Sequence, residues 1–398
     1  MANKFKTLDD LKDCRGRTVL IRGDLNVPFK NGKVTDDSRL QALLPTLTEL
    51  SEKGARIILI SHFGRPEGQR DMDYSLKPIA AHLKTLTDIS VHFADDCIGT
   101  PVKSALGALK DGDILVCENL RFHAGETNND ADFAKALAAH AGIYINDAFS
   151  AAHRAHASTV GVTAHLPAYA GRLMEKELTS LASILNKPET PVAAIVGGSK
   201  ISTKLDVLKY LVKKTDFLII GGAMANTFLY AQGHDVGKSL HETDMNDSVD
   251  QILKSAEEND CTIYIPADVT VAQKFEENAP HENKACDNLA VDDIALDLGP
   301  QSVADINSIL QECRTLLWNG PLGAFETKPF DQATNEVAQF AAERTKSGDL
   351  YSVGGGGDTV SALEQAGIKQ DFSYISTAGG AFLEFIEGKV LPGVDALY

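Results

Sequence analysis

The sequence is poor in several of the features that usually announce a function. Its six cysteines (Cys14, Cys97, Cys117, Cys261, Cys286, Cys313) are scattered over 398 residues, and none forms a C-x-x-C pair. Zinc-binding modules and disulfide frameworks are therefore poorly supported. No run of about 18 uninterrupted apolar residues occurs, so a membrane span is not expected. The opening "MANKFKTLDDLKD" has no long apolar stretch, which argues against a signal peptide and leaves the cytoplasm as the default compartment. Positive charge is also short, with 38 Lys plus Arg against 55 Asp plus Glu and a formal net charge of −17. Such a chain is not expected to coat nucleic acid or an anionic membrane. A small anionic ligand stays open, because a local basic cluster can dominate its own cleft. Familiar catalytic signatures are missing too. There is no G-x-x-x-x-G-K-[ST], no G-x-G-x-x-G and no G-x-S-x-G. An ordinary P-loop enzyme, a Rossmann dehydrogenase and an α/β-hydrolase all lose support.

What is present is a regular grammar. A hydrophobic fraction of 43% suffices for sizeable cores, and the length suggests two domains. Strand-length apolar runs alternate with helix-length amphipathic segments. "RTVLIRGDLN", "ARIILIS", "DILVCEN" and "GIYINDA" read as strands in the first half. "PVAAIVGG", "DFLIIGG", "TIYIPA", "RTLLWNG" and "DLYSVGG" read as strands in the second. This alternation predicts an α/β fold of parallel sheets flanked by helices. "DDSRLQALLPTLTELSEKG" reads as a helix, with Pro45 marking a kink or a late start. "RLMEKELTSLASILNKPETP" reads as a helix running out at Pro188 and Pro191, either an interdomain strut or an ordinary helix of one domain.

Ligands of open parallel sheets bind beyond the carboxyl ends of the strands, so the residues that follow each strand carry the information. In the first half these are Asp24 and Asn26, then His62 and Arg65 in "SHFGRPEG", then Arg121 in "CENLRFH", then His153, Arg154 and His156 in "NDAFSAAHRAHAS". Arg39 stands near the start of the helix after the first loop. Four arginines and a histidine at one sheet mouth of an acidic chain point to an anion site, because the guanidinium fork suits carboxylate and phosphate. His153 and His156 lack a third ligand at metal spacing, so a metal reading is weak. The second half presents glycine instead, in "GGSKISTK", "GGAMANTF", "NGPLGAFE", "GGGGDT" and "TAGGAF". Glycines at strand-to-helix turns let a ligand approach bare backbone and expose helix N-terminal N–H groups to phosphate. Any one Gly-Gly pair is equally well a tight turn; five at one mouth favour a nucleotide. Lys200 and Lys204, four residues apart at the start of a helical pattern, are expected to share a face.

These blocks, "VLIRGDLNVP", "SHFGRPEG", "ENLRFH", "NDAFSAAHRAHAS", "GGSKISTK", "GGAMANTF", "WNGPLGAFE", "GGGGDT" and "LPGVDAL", resemble the phosphoglycerate kinase family in order and from end to end. The resemblance implies two Rossmann-like domains joined by a helix around a central cleft. Residues 1–170, completed by about 380–398, would bind phosphoglycerate; 171–188 would be the connecting helix; 189–379 would bind nucleotide. It implies reversible phosphoryl transfer between 1,3-bisphosphoglycerate and ADP, giving 3-phosphoglycerate and ATP, by a monomer using Mg2+. Asp24, Asn26, Arg39, His62, Phe63, Gly64, Arg65, Arg121 and Arg154 would hold the phosphoglycerate. Lys200, Lys204, Asn319, Glu326, Gly355, Gly356, Gly357, Asp358 and Thr359 would serve the nucleotide. Within these sets Arg39 and Lys204 would be catalytic, Glu326 would bond the ribose and Asp358 would ligate magnesium. Competing readings are a non-catalytic nucleotide-binding scaffold and a surface-exposed binding protein. One departure is visible. The family's "STGGGA" reads "STAGGA" here, with Ala378 in place of a glycine.

Overall fold

The computed structural model describes residues 5–185 and 187–398. Residues 1–4 of the opening segment, and Asn186 within the expected connecting helix, lie outside them. The chain divides into two compact units. One runs to Thr179 and takes in Val390–Tyr398; the other is Ser180–Lys389.

The first unit is built on six parallel strands, β1 (Thr18–Arg22), β2 (Arg56–Ile60), β3 (Val91–Ala94), β4 (Ile114–Cys117), β5 (Ile143–Asn146) and β6 (Ala168–Ala170). Their order across the sheet is β3-β4-β2-β1-β5-β6. The central strands β1, β2, β4 and β5 are mostly apolar because both faces are covered. Successive side chains go to different cores: Val19, Ile21, Ile57 and Leu59 to one, Leu20, Ile58, Ile60 and Tyr144 to the other. Helix α1 (Ser38–Glu52) buries Leu40, Leu43, Leu47 and Leu50, a stripe of helical spacing, and runs on both sides of Pro45, so the late start does not occur. Order reverses beside β1, whose neighbours are β2 and β5. That is the switch point at which loops diverge and leave a crevice.

Helix α2 (Arg172–Leu185) begins in the first unit. Its start is fixed by Asp147, which accepts from Met174 N at 2.9 Å, and by Arg172, paired with Glu49 at 2.7 Å and Glu175 at 2.8 Å. The boundary between the units falls within α2. Val390–Tyr398 is held to the first unit by Gly393, whose N donates to Ala152 O at 2.8 Å and whose O accepts from Asn146 at 3.1 Å. Residues 380–389 group with the second unit.

The second unit repeats the plan with β7 (Val192–Val196), β8 (Phe217–Ile220), β9 (Thr262–Tyr264), β13 (Thr315–Asn319), β14 (Tyr351–Gly355) and β15 (Tyr374–Ser376). The parallel order is β9-β8-β7-β13-β14-β15, with the switch beside β7. Between β9 and β13 the chain inserts an antiparallel sheet, β11-β10-β12, from β10 (Asp268–Ala272), β11 (His281–Ala285) and β12 (Ile294–Leu298). The sequence reading did not anticipate it. β11, "HENKA", is exposed at four of five positions and offers no apolar run to detect. The alternating "DVTVA" of β10 was the available signal.

Candidate active site

Four loops, those after β1, β2, β4 and β5, meet at the mouth of the first sheet. β1 ends on Arg22, which is 1% exposed although charged. Its guanidinium donates to Ser158 Oγ at 3.0 Å, to Ser61 Oγ at 3.4 Å, to Gly23 O and to His62 Nδ1 at 2.9 Å. Ser158 Oγ passes the charge on, donating to the buried carboxylate of Glu126 at 2.6 Å. A buried cation is thus compensated through one hydroxyl rather than by direct contact.

The Arg22 contact sets the state of His62. A guanidinium only donates, so Nδ1 must accept, and the ring is the neutral Nε2–H tautomer. Burial, then the neighbouring Arg22 and Arg121 charges, hold its pKa well below the usual imidazole range. His156 is likewise pushed down to about 4, by burial first and then by Arg121 and Arg22.

The remaining loops are tied to one another by the expected residues. Asp24, buried, accepts from Arg39 Nη1 at 3.0 Å and from the Ser150 hydroxyl. The same Arg39 nitrogen donates to Asn26 O at 2.9 Å. Asn26 Oδ1 accepts from Gly64 N at 3.0 Å, and Gly64 O accepts from Arg121 Nη1 at 2.8 Å. Each link joins a different strand end, so the loops after β1, β2 and β4 are mutually braced. Arg121 Nε is buried with no hydrogen-bond partner. Burial and the charges of Arg22, Arg65 and Arg154 lower the Arg121 pKa against the opposing pull of Glu126. Surplus positive charge is an electrostatic signature of an anion site. A cavity of 820 Å³ opens here, lined among others by Asn26, His62, Gly64, Arg65, Arg121 and Arg154.

Phe63 packs inward. Its ring is 8% exposed and packs edge-to-face on Phe29 and Tyr74, with centroids 5.9 and 6.3 Å away. It is a core residue that props the loop, and it does not line the cavity. Arg22, Ser150, Ser158 and Glu126 escaped the sequence reading. For Arg22 the signal was a charge inside "VLIRG", a run that periodicity buries on both faces.

The second mouth relies on backbone. Helix α3 (Leu205–Leu211) starts one residue after Lys204, and Lys200 is exposed and outside any helix. The shared helical face expected for the two lysines therefore does not exist. Lys204 alone turns inward. Its Nζ donates to Gly197 O, to Asn319 O at 3.1 Å and to Asn319 Oδ1 at 2.7 Å. Burial pulls its pKa down to about 8, against the opposing effect of Asp358. Asn319 closes β13 and donates to Gly355 O at 2.8 Å; Thr359 Oγ1 accepts from Gly320 N at 2.6 Å. Lysine, asparagine and threonine thus knit three strand ends together.

The glycines divide into two kinds. A methyl at Gly354 would meet Ile375 at 2.8 Å, and one at Gly355 would meet Phe382 at 2.6 Å. Both belong to β14 and make room for neighbouring side chains. Gly356, at φ 96, makes the turn, and Gly357 has nothing within 4 Å and opens helix α5 (Gly357–Gln365). A cavity of 490 Å³ lies at this mouth, and Gly198, Gly222, Gly323, Glu326 and Asp358 stand on its wall. Phe275 and Leu240 also line it, although each is more than half exposed. Ala378 is not among the residues of positive φ, so its methyl is tolerated there.

Two switch-point crevices, one cationic and one backbone-lined with an inward lysine, define an α/β enzyme of the phosphoryl-transfer class. Comparison with known proteins narrows the class. Residues 8–389 match the family model described as phosphoglycerate kinase. The chain is 58% identical to the phosphoglycerate kinase of Chelativorans sp. (strain BNC1) over 99% of both chains. It is 56% identical to that of Methylorubrum extorquens (strain PA1), over 99% of this chain and 98% of that one. Among solved structures, phosphoglycerate kinase from Coxiella burnetii superposes with a TM-score of 0.92 at 41% identity, covering 99% of each chain. The enzyme from Pyrococcus horikoshii OT3 gives 0.80 at 30% identity, covering 99% of this chain and 98% of that one. The chain belongs to the phosphoglycerate kinase family.

Proposed function

We propose that the cationic cavity of the first unit binds phosphoglycerate and the backbone-lined cavity of the second binds the nucleotide. The protein is a kinase. It transfers a phosphoryl group reversibly between 1,3-bisphosphoglycerate and ADP, giving 3-phosphoglycerate and ATP. The observation that carries the division of labour is the surplus of guanidinium charge around the 820 Å³ cavity of a chain whose net charge is −17.

The donor is already an activated acyl phosphate, so no covalent enzyme intermediate is required. Catalysis is positioning and charge stabilisation. Arg65, Arg121 and Arg154 hold substrate anions, and the unpartnered Arg121 Nε is a donor in waiting. His62, neutral, donates from Nε2 without adding charge. Asp24 and Asn26 fix the Arg39 guanidinium so that its free edge faces the migrating group. In the second unit Phe275 and Leu240 supply apolar surface for the base, Glu326 bonds the ribose, and the start of α5 offers N–H groups to phosphate. Asp358, an exposed carboxylate on the cavity wall, is a hard oxygen donor that suits Mg2+. When bound, Mg2+ would screen phosphate charge. Arg39 and Lys204 neutralise the equatorial oxygens in transit. They lie in separate units, and each is assigned a share of the charge on the migrating group. A cytoplasmic monomer completes this reading; six free, buried cysteines suit a reducing compartment.

Equilibrium titration tests the division. Arg121→Ala is expected to weaken 3-phosphoglycerate binding by roughly 10- to 100-fold, the loss of a charge-assisted hydrogen bond, and to leave MgADP binding within about twofold. Loss of MgADP affinity with intact 3-phosphoglycerate binding would assign the two cavities the other way round.

A further inference from the structure

The first unit carries a ligand set that the phosphoryl-transfer site does not use. Among the described residues, Asp96, Cys97 and His123 place a carboxylate oxygen, a thiol sulfur and an imidazole nitrogen within 4.8 Å of one another. Asp96 and Cys97 follow β3, and His123 follows the short turn that carries Arg121. Two strand ends thus converge on one point. His123 Nε2 lies 2.8 Å from Asp96 Oδ1, and Cys97 N donates to the same oxygen at 2.7 Å. The His123 ring is steadied by Phe133, with centroids 5.0 Å apart. Cys97 is only 3% exposed, while the Asp96 and His123 side chains are 28% and 30% exposed. The sulfur is therefore at the floor of the cluster, and the oxygen and nitrogen stand on its open side, where an ion can enter.

We infer that Asp96, Cys97 and His123 form a site for one thiophilic divalent cation of the Zn2+ class. The donor set decides the class. Thiolate and imidazole favour zinc, and Mg2+ prefers oxygen alone, so this site is chemically separate from the Asp358 carboxylate. Zinc bonds of 2.0 to 2.3 Å at tetrahedral angles put ligand atoms about 3.3 to 3.8 Å apart. The His123–Asp96 contact at 2.8 Å opens slightly to meet that, and the sulfur already lies within 4.8 Å of both atoms. Metal entry displaces the thiol proton to solvent, and water completes the fourth position. Ala124, next to His123, lines the anion cavity, so an occupied site braces the segment that presents Arg121.

The test uses the full chain, stripped with a chelator and dialysed against Zn2+ and, separately, Co2+. Bound metal is counted by elemental analysis and by competition with a chromogenic chelator. One equivalent of Zn2+ per chain is expected, weakened roughly 10- to 100-fold or more in Cys97→Ser and in His123→Gln. Co2+ is expected to show near-ultraviolet sulfur-to-metal charge transfer that disappears in Cys97→Ser. His123→Gln changes a partly exposed side chain, so it reports even if Cys97→Ser folds poorly. Failure of wild type to hold Zn2+ against the chelator would overturn the site. So would binding that both variants leave unchanged, which would leave His123 and Asp96 as an ion pair only.

Discussion

The two sheet mouths solve one problem by different means. In the first unit, anion binding is entrusted to side chains, and the loops are tied by Arg39, Asn26 and Arg121 reaching to carbonyls of neighbouring loops. In the second, the proposed phosphate donors are backbone N–H groups, and side chains such as Lys204, Asn319 and Thr359 tie the loops from beneath. A small substrate with an anionic group at each end can be encircled by long guanidinium arms. A polyphosphate needs many donors in a short distance, which exposed N–H groups supply. The charge states differ accordingly. Half-buried histidines in the first unit are held neutral among arginines, whereas the second mouth turns one half-buried lysine inward.

The largest effect that would break this comparison belongs to Lys204. Lys204→Ala is expected to lower kcat by about 10² to 10⁴, as for removal of a preorganised charge stabiliser. Steady-state kinetics showing near-full kcat with only a raised KM would reduce Lys204 to a tether. Next comes its titration. The burial that draws its pKa to about 8 means the charge is lost as pH rises through 8, well before an ordinary lysine. For the free enzyme, kcat/KM for the nucleotide is expected to fall about tenfold per pH unit beyond that point. Lys204→Arg moves the decline to higher pH if the group is correctly assigned, and a decline that stays put implicates another group.

The glycine division gives a smaller effect, read as stability. Gly355→Ala forces a methyl against Phe382 and is expected to cost about 1 to 3 kcal/mol in denaturant unfolding. Gly357→Ala, facing open space, is expected to stay within about 0.5 kcal/mol. Equal losses at the two positions would erase the distinction. Smallest is Ala378→Gly, whose backbone is not in the left-handed region. Turnover is expected to change by less than about tenfold, or about 1.4 kcal/mol. A much larger gain would mark Ala378 as an impediment to the reaction.

The two mouths were not equally legible in the sequence. Arginine after a strand in an acidic chain has few bland explanations once it recurs, so Arg65, Arg121 and Arg154 could be assigned to one cavity from position alone. Glycine has two physical uses, admitting a ligand and admitting a neighbouring side chain. "GGGGDT" contains both, and only the packing of Ile375 and Phe382 separates Gly354 and Gly355 from Gly357. Lys200 and Lys204 were paired by a helical period that starts too late to include them. Phe63 stood inside a polar motif yet belongs to the core. For Arg22 the charge inside a doubly buried run was the only local signal, and its compensating partners Ser158 and Glu126 lie far along the chain. The parallel strands were readable because burial on both faces makes them continuous apolar runs. The β10–β12 sheet was not, because only part of each strand is buried.

Arg39 and Lys204 share one proposed role, stabilising the migrating phosphoryl group. Its most direct test is steady-state phosphoryl transfer from MgATP to 3-phosphoglycerate, with the acyl phosphate consumed by a coupled dehydrogenase. Wild type and Arg39→Ala are run side by side at saturating substrates. Robust wild-type turnover with kcat lower by about 10² to 10⁴ in Arg39→Ala is the predicted result. Near-full kcat in Arg39→Ala, with the loss confined to KM for 3-phosphoglycerate, would contradict it.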